Sequence, residues 1–380
     1  MAEKNAGRLC SAPAVTPDEL VYSHGPAMWL DEWKPETILN KLNRKITTGR
    51  ELPVGFLIKP LGLFIADDKN QAVFLRDVIK TYLSVRSFAE RFGGIHPLNK
   101  QQRESTTEAE SSNVDGYLKN RIALVTGAGS GLGRSISVGL ARAGAAVGLL
   151  DIDSKTAEET SALIKKELPD SLTMAIGCDV TSESDIDAAF EALLKNWGGL
   201  DILVNAAGVA PAAPLVDMAV DKWRFALEVN LTGYFLMARA AARIMIRQGI
   251  GGSIINISFK SGLDASKNNT AYNTTKAGEL HMARGWALEL GEYGIRVNCI
   301  CPGNVFEGSK IWNRQYIKEC AKKRGIKPEE VIPYYISKTS LKREIKGQDI
   351  ADAVVFLCSD KACTITGQIL VADAGQVMVR

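Results

Sequence analysis

From Ile122 onward the chain alternates short, near-continuous hydrophobic runs with longer segments that carry apolar residues at helical spacing. Seven runs are rich in Val, Ile and Leu: 122–126, 146–151, 173–178, 202–205, 253–258, 296–300 and 369–372. Helical segments begin near Leu132, Lys155, Glu183, Lys222, Thr270 and Asp349. Strands that read as unbroken apolar runs are covered on both faces, and strands joined through helices pair in parallel. The pattern predicts an α/β fold, a doubly wound parallel sheet of seven strands buried between helices.

The first part of the chain is patterned differently. Residues 53–65 read as short strands with turns, and 67–92 place Val73, Phe74, Val78, Ile79, Tyr82, Leu83 and Phe88 at helical spacing. Asp67 and Asp68 suit the start of that helix, Gly93 and Gly94 its end. Residues 99–116 are rich in Gln, Glu, Ser and Thr and hold almost nothing to bury, which is a linker composition. At 380 residues the chain exceeds one small module. The expected organisation is a smaller α+β extension over 1–104, a linker over 105–116 and a main domain over 117–380.

Composition narrows the class. With 46% hydrophobic and 23% charged residues the chain is ordinary globular material, and a net charge of +3 argues against nucleic-acid or membrane-surface partners. No run approaches the roughly 18 apolar residues of a membrane span, and the N-terminus lacks the apolar stretch of a signal peptide. A cytoplasmic protein is expected. Seven cysteines without CxxC and three histidines (His24, His96, His281) without ligand spacing predict reduced, mostly core thiols and no metal site.

Chemistry begins directly after the first run, at Thr126-Gly127-Ala128-Gly129-Ser130-Gly131-Leu132-Gly133. A glycine turn between strand and helix offers backbone N–H groups and the positive helix end to a pyrophosphate, although a glycine triplet alone also fits a tight turn. Asp151 lies 18 residues beyond Gly133, at the end of the second run. An acid there hydrogen-bonds adenosine ribose hydroxyls and repels a 2′-phosphate; the plainer role is a strand-end cap. Ile152 and Ser130, neither of them basic, favour NAD over NADP. Asp179, after the third run, suits adenine, and it equally suits an N-terminal cap for the next helix.

Tyr272 and Lys276 stand four apart, hence on one helical face, where an ammonium would lower the tyrosine pKa and make it an acid/base. Such a pair is common by chance. The order of motifs is not: TGxxxGxG, NAAG (Asn205 to Gly208), VNLTG with Asn230, YxxxK and CPG (Cys301 to Gly303). Over 117–380 the chain resembles the short-chain dehydrogenase/reductase family. The resemblance implies a Rossmann-type fold, Tyr272 as the catalytic acid/base, Lys276 also binding the nicotinamide ribose, and Asn230 holding a water in a proton relay. It implies cofactor contacts from Leu132, Val180, Asn205, Ala206, Gly208, Pro302, Gly303 and Val305 beside the glycine turn. A homo-oligomer, dimer or tetramer, built through the helices that carry Asn230 and Tyr272 is also implied.

One position departs from the family pattern. A serine normally lies 13 residues before the tyrosine, and here that residue is Phe259. Ser258, Lys260 or Ser261 could replace its hydrogen bond, though Ser258 should point to the other side of a regular strand. Two readings follow: an NAD-dependent alcohol dehydrogenase/carbonyl reductase, or a catalytically weak NAD-binding subunit of a hetero-oligomer. Substrates of the first would be small hydroxyaldehydes, polyols or hydroxy acids, with or without an anionic or CoA handle.

The GSxIW (Gly308 to Trp312) and LKRE (Leu341 to Glu344) elements are similar to the dehydrogenase half of bifunctional rhamnulose-phosphate aldolase/lactaldehyde dehydrogenases. TPDELVY and the stretch from GFLIKPLGLF to FGGIHPL resemble the tail of their class II aldolase half. This implies a truncated aldolase remnant over 1–104, lacking the histidine cluster of the aldolase metal site. Residues 304–346 are predicted as a helical substrate lid and hold 11 Lys/Arg against 5 Glu. That charge would attract an anionic substrate or simply form a solvated face. Trp312, Tyr316, Tyr334 and Tyr335 would wall the pocket or pack the lid.

Overall fold

In the computed structural model the chain forms two compact units, Met1–Val114 and Asp115–Arg380. The structure describes residues 27–30, 38, 40–42, 55–58, 62–65, 79, 83, 117–309 and 312–378.

In the first unit β1 (Met28–Leu30) pairs in parallel with β2 (Gly55–Ile58), which pairs antiparallel with β3 (Gly62–Ile65). Alternation along the strands separates two apolar faces. Ala27, Trp29, Leu57 and Leu63 pack on the helical residues Ile79 and Leu83, while Met28, Leu30, Ile58 and Phe56 pack on Ile38 and Leu42. The rest of the helix expected over 67–92, the linker, His24 and His96 lie outside the described residues.

The second unit holds β4 (Ile122–Thr126), α1 (Gly131–Arg142), β5 (Ala146–Asp151), α2 (Ser154–Glu167), β6 (Thr173–Gly177), α3 (Glu183–Trp197) and β7 (Ile202–Asn205). It continues through α4 (Val220–Leu227), α5 (Gly233–Gln248), β8 (Gly252–Ile257), α6 (Thr270–Leu290), β9 (Ile295–Pro302), α7 (Arg314–Arg324), α8 (Val331–Ser337), α9 (Gly347–Cys358) and β10 (Ile369–Ala372). The seven strands pair in parallel in the order β10-β9-β8-β7-β4-β5-β6. This is the Rossmann-type doubly wound sheet that the pattern predicts. Because the chain starts at β4, runs outward to β6 and restarts at β7, the order reverses between β4 and β7. Loops diverge there and leave a crevice at the carboxyl ends of the strands.

Side chains alternate across the sheet into two cores. Ala123, Val125, Val147 and Leu149 meet α1, α2 and α9, whereas Leu124, Leu150, Leu203 and Val297 meet α3, α5 and α6. Cys178, Cys299 and Cys301 are buried in the second core as free thiols, and burial pushes Cys178 and Cys301 up to about 12. No helix among the described residues is long and apolar enough to cross a membrane.

The helical segment read as beginning near Lys222 opens at Val220, and a π-turn at Glu228–Thr232, which contains Asn230, joins α4 to α5. One expectation needs correction. Asp179 is not the cap of α3: Ser182 caps it by accepting from the Asp185 N–H, and Asp179 instead holds Thr181 through both its N–H (2.9 Å) and its hydroxyl (2.7 Å).

Candidate active site

A cleft of about 1940 Å³ opens at the carboxyl ends of the strands. One end is walled by Gly127, Ser130, Gly131, Leu132, Gly133, Asp151, Ile152, Asp179, Val180, Ala206 and Gly208. The other is walled by Ser258, Phe259, Lys260, Ser261, Trp312, Tyr316, Arg324, Tyr334, Tyr335 and Lys338, with Tyr272, Lys276, Gly303 and Val305 also on its surface. Of the residues expected to bind cofactor, Asn205 and Pro302 do not line it. Asn205 is buried and donates to Asn256 Oδ1 (3.0 Å).

The glycine turn is built around Asp151. The Gly129 N–H donates to Asp151 Oδ2 at 2.9 Å and the Asp153 N–H to Oδ1 at 3.1 Å, so the carboxylate is fixed at the cleft edge. A Cβ on Gly133 would stand 2.0 Å from the Gly127 carbonyl, which explains why the turn closes onto α1 only with glycine. Arg134, which sequence reasoning passed over, props the turn from behind by donating to the Gly129 carbonyl (2.5 Å) and Thr160 Oγ1 (3.0 Å). Two features fit a bound dinucleotide. The Gly131 N–H donates to the Gly308 carbonyl at 3.2 Å, an oxygen standing where a phosphate oxygen would accept. Asn304 Nδ2, buried on the cleft wall, has no partner among the described residues.

The second half of the site hangs on α6. Asn230 Oδ1 accepts from the Val209 N–H, and Nδ2 donates to the Val209 carbonyl and Thr275 Oγ1, at 2.9, 2.9 and 3.0 Å. Asn230 thus ties the loop after β7 to α6. Tyr272 is partly buried beside Phe259, with ring centroids 5.8 Å apart and planes tilted by 56°. Lys276 Nζ lies 5.6 Å from the Tyr272 ring centroid, but its hydrogen bonds go to the Ile257 carbonyl (3.0 Å) and to both carboxylate oxygens of Glu279 (2.9 and 3.1 Å). Here the expected lowering of Tyr272 is corrected. Burial first, then the charge of Glu279, hold the phenol well above its ordinary value. Sequence reasoning missed Glu279 because a glutamate in a helix reads as a solvent-facing residue, yet it is wholly buried.

Of the three substitutes for the missing serine, Ser258 is committed: its hydroxyl donates to the Lys276 carbonyl at 2.8 Å. The Ser261 hydroxyl, on the cleft wall, has no hydrogen-bond partner among the described residues. Lys260 Nζ lies 5.8 Å from the Phe259 ring centroid and 5.9 Å from that of Tyr335. Burial, reinforced by Arg324 and opposed by Asp373, brings Lys260 down to about 8. Arg324 stacks on Tyr334 and Tyr335 at 4.7 and 4.8 Å, and Lys338 lies 5.1 Å from Tyr334. Trp312 packs edge-on against Phe306, Tyr316 and Tyr335 at 4.7, 5.2 and 5.3 Å. The lid aromatics therefore both pack together and face the cleft.

The family profile described as enoyl-(acyl carrier protein) reductase, of the short-chain alcohol dehydrogenase type, matches residues 127–376. The chain belongs to the short-chain dehydrogenase/reductase family. As a short-chain dehydrogenase it is 39% identical over 259 residues to sorbitol-6-phosphate 2-dehydrogenase of Escherichia coli, covering 68% of this chain and 99% of that one. It is 37% identical over 255 residues to the uncharacterized oxidoreductase YuxG of Bacillus subtilis; the match covers 67% of this chain and 37% of YuxG. Among solved structures, a 7α-hydroxysteroid dehydrogenase complexed with NADH and 7-oxo glycochenodeoxycholic acid superposes with a TM-score of 0.61 at 34% identity, over 70% of this chain and 98% of that one. The chain is an oxidoreductase of the alcohol dehydrogenase type.

Proposed function

We propose that the protein is an NAD-dependent dehydrogenase that interconverts a small polyol, carried on an anionic group, with its carbonyl form. The carrying observation is the single cleft that brings the glycine turn and Asp151 together with Tyr272 and a cationic, aromatic far end. Gly131, Asn304, Asp151 and Lys276 would hold the dinucleotide, which when bound supplies the hydride donor or acceptor. Tyr272 exchanges the proton at the substrate oxygen. Lys260, Arg324 and Lys338, set around Tyr334 and Tyr335, bind the anion. The name of the sorbitol-6-phosphate relative supports a phosphate there.

Oxidation of sorbitol 6-phosphate and other polyol phosphates, against unphosphorylated polyols and acyl-CoA derivatives, tests this with NAD and NADP in parallel. Turnover of none of them, or preference for NADP, would sink the reading. The double variant Lys260→Ala/Arg324→Ala should raise KM for the phosphorylated substrate about tenfold and leave the unphosphorylated one unchanged. Lys260 loses its charge as pH rises through about 8, so KM for the anion should climb above that pH. Asp151→Ala should cut kcat/KM with NAD at least about tenfold while raising it with NADP, because one charged hydrogen-bonding group is lost and one repulsion removed.

A second reading, a weakly active cofactor-binding subunit, is favoured by one observation: a phenyl ring, not a hydroxyl, stands beside Tyr272. We also read the protein as a cytoplasmic homo-oligomer. Phe225, Phe235 and Leu288, on α4, α5 and α6, are 54%, 43% and 87% exposed, which supports pairing through those helices. Residues 1–104 we read as an aldolase-like segment. The sequence likeness supports this, as does the length of YuxG outside the matched region.

A further inference from the structure

The donors of Lys276 are nearly all spoken for within the protein. An ammonium has three N–H donors. Lys276 Nζ meets Glu279 Oε1 and Oε2 at 2.9 and 3.1 Å and the Ile257 carbonyl at 3.0 Å, so at most one donor is left for Tyr272 or for a ligand. The ammonium is nevertheless at the cleft wall, since a Cβ on Gly208 would stand 3.7 Å from Nζ. The Ile257 carbonyl cannot let go independently, because it also accepts from the Tyr234 hydroxyl at 3.0 Å. The adjustable partner is the carboxylate. An ionised carboxylate with no water around it is costly, and removing its proton or its partner changes the balance of the pair.

Other groups face Glu279 from several elements: Tyr272 on its own helix, Tyr234 on α5, Ser258 after β8, and Cys299 and Cys301 on β9. None of these is a cation, so Lys276 alone among them neutralises the carboxylate. We propose that Glu279 is a positioning residue that gates Lys276: ionised, it holds the ammonium back from the cofactor ribose and the Tyr272 hydroxyl, and on taking up a proton it releases the ammonium to both. The inference rests on the reading of the cleft as a dinucleotide site. Burial, opposed by Lys276, raises Glu279 to about 8. The carboxyl is therefore protonated and Lys276 released below that pH, and Lys276 is clamped above it.

The test is NADH binding, followed by fluorescence from about pH 6.5 to about pH 9.5, with no substrate present. Wild-type affinity should fall about fivefold as pH rises through the Glu279 transition, the worth of one hydrogen bond gained or lost. Glu279→Gln, which keeps the shape and mimics the protonated form, should hold the low-pH affinity at every pH. Lys276→Met should bind weakly with no slope. A Glu279→Gln protein with the wild-type slope overturns the proposal. Should that variant fail to fold, a wild-type slope persisting in Lys276→Met overturns it equally. The dehydrogenase reading fails separately: a protein that shows the slope but oxidises no polyol loses that reading and keeps this one.

Discussion

Tyr272→Phe should abolish turnover, lowering kcat by about a thousandfold while NADH affinity stays within about twofold of wild type. The substitution removes one hydroxyl from a ring that is already packed against Phe259, so the cleft keeps its shape. On the proposed reading, what disappears is the proton carrier at the substrate oxygen. The direction of the reaction enters here as well. Burial and Glu279 keep the Tyr272 phenol protonated well beyond neutrality, which suits it to donate a proton to a carbonyl. Carbonyl reduction should therefore proceed across neutral pH, whereas alcohol oxidation, which needs the phenolate, should rise with pH. Steady-state rates in both directions for wild type and Tyr272→Phe check both statements. A variant retaining more than about a tenth of wild-type kcat would remove Tyr272 from the chemistry.

How far this site was legible in the sequence depended on how local each feature is. Strands β4, β5, β7 and β10 end where their apolar runs end, because a buried parallel strand leaves its hydrophobicity unbroken and its flanks polar. The glycine turn, Asp151, Tyr272 and Lys276 were legible for the same reason, since each is tied to a strand end or a helical spacing. Arg134, Glu279 and Arg324 were not. Their roles come from contacts across the fold: Arg134 with Gly129 around the turn, Glu279 with Ile257 through a shared lysine, and Arg324 with Tyr334 and Tyr335 between two lid helices. The π-turn at Asn230 was invisible because hydrophobic periodicity resumes after it. Conversely, Asn205 was read as a cofactor contact from its motif alone, whereas its side chain turns into the sheet towards Asn256.

Phe259→Ser should raise kcat for carbonyl reduction by about a hundredfold, the usual worth of one donor aimed at a developing oxyanion. The backbone at Phe259 is extended (φ −165°, ψ 159°), a conformation serine adopts without strain, and the side chain already faces the cleft beside Tyr272. A hydroxyl on that carbon would therefore arrive near the Tyr272 phenol. The exchange also removes a ring that packs on Tyr272 and on the Lys260 ammonium, so some stability is lost and Tyr272 becomes less confined. A gain in kcat that outweighs this loss would mean that the natural protein works without a second donor and has traded rate for an apolar wall. An unchanged kcat with NADH binding intact would mean that Ser261 or Lys260 already fills the role. Combining Phe259→Ser with Ser261→Ala separates those two. If Ser261 is the present donor, the added serine should rescue Ser261→Ala; if Lys260 is, Ser261→Ala should cost little in either background.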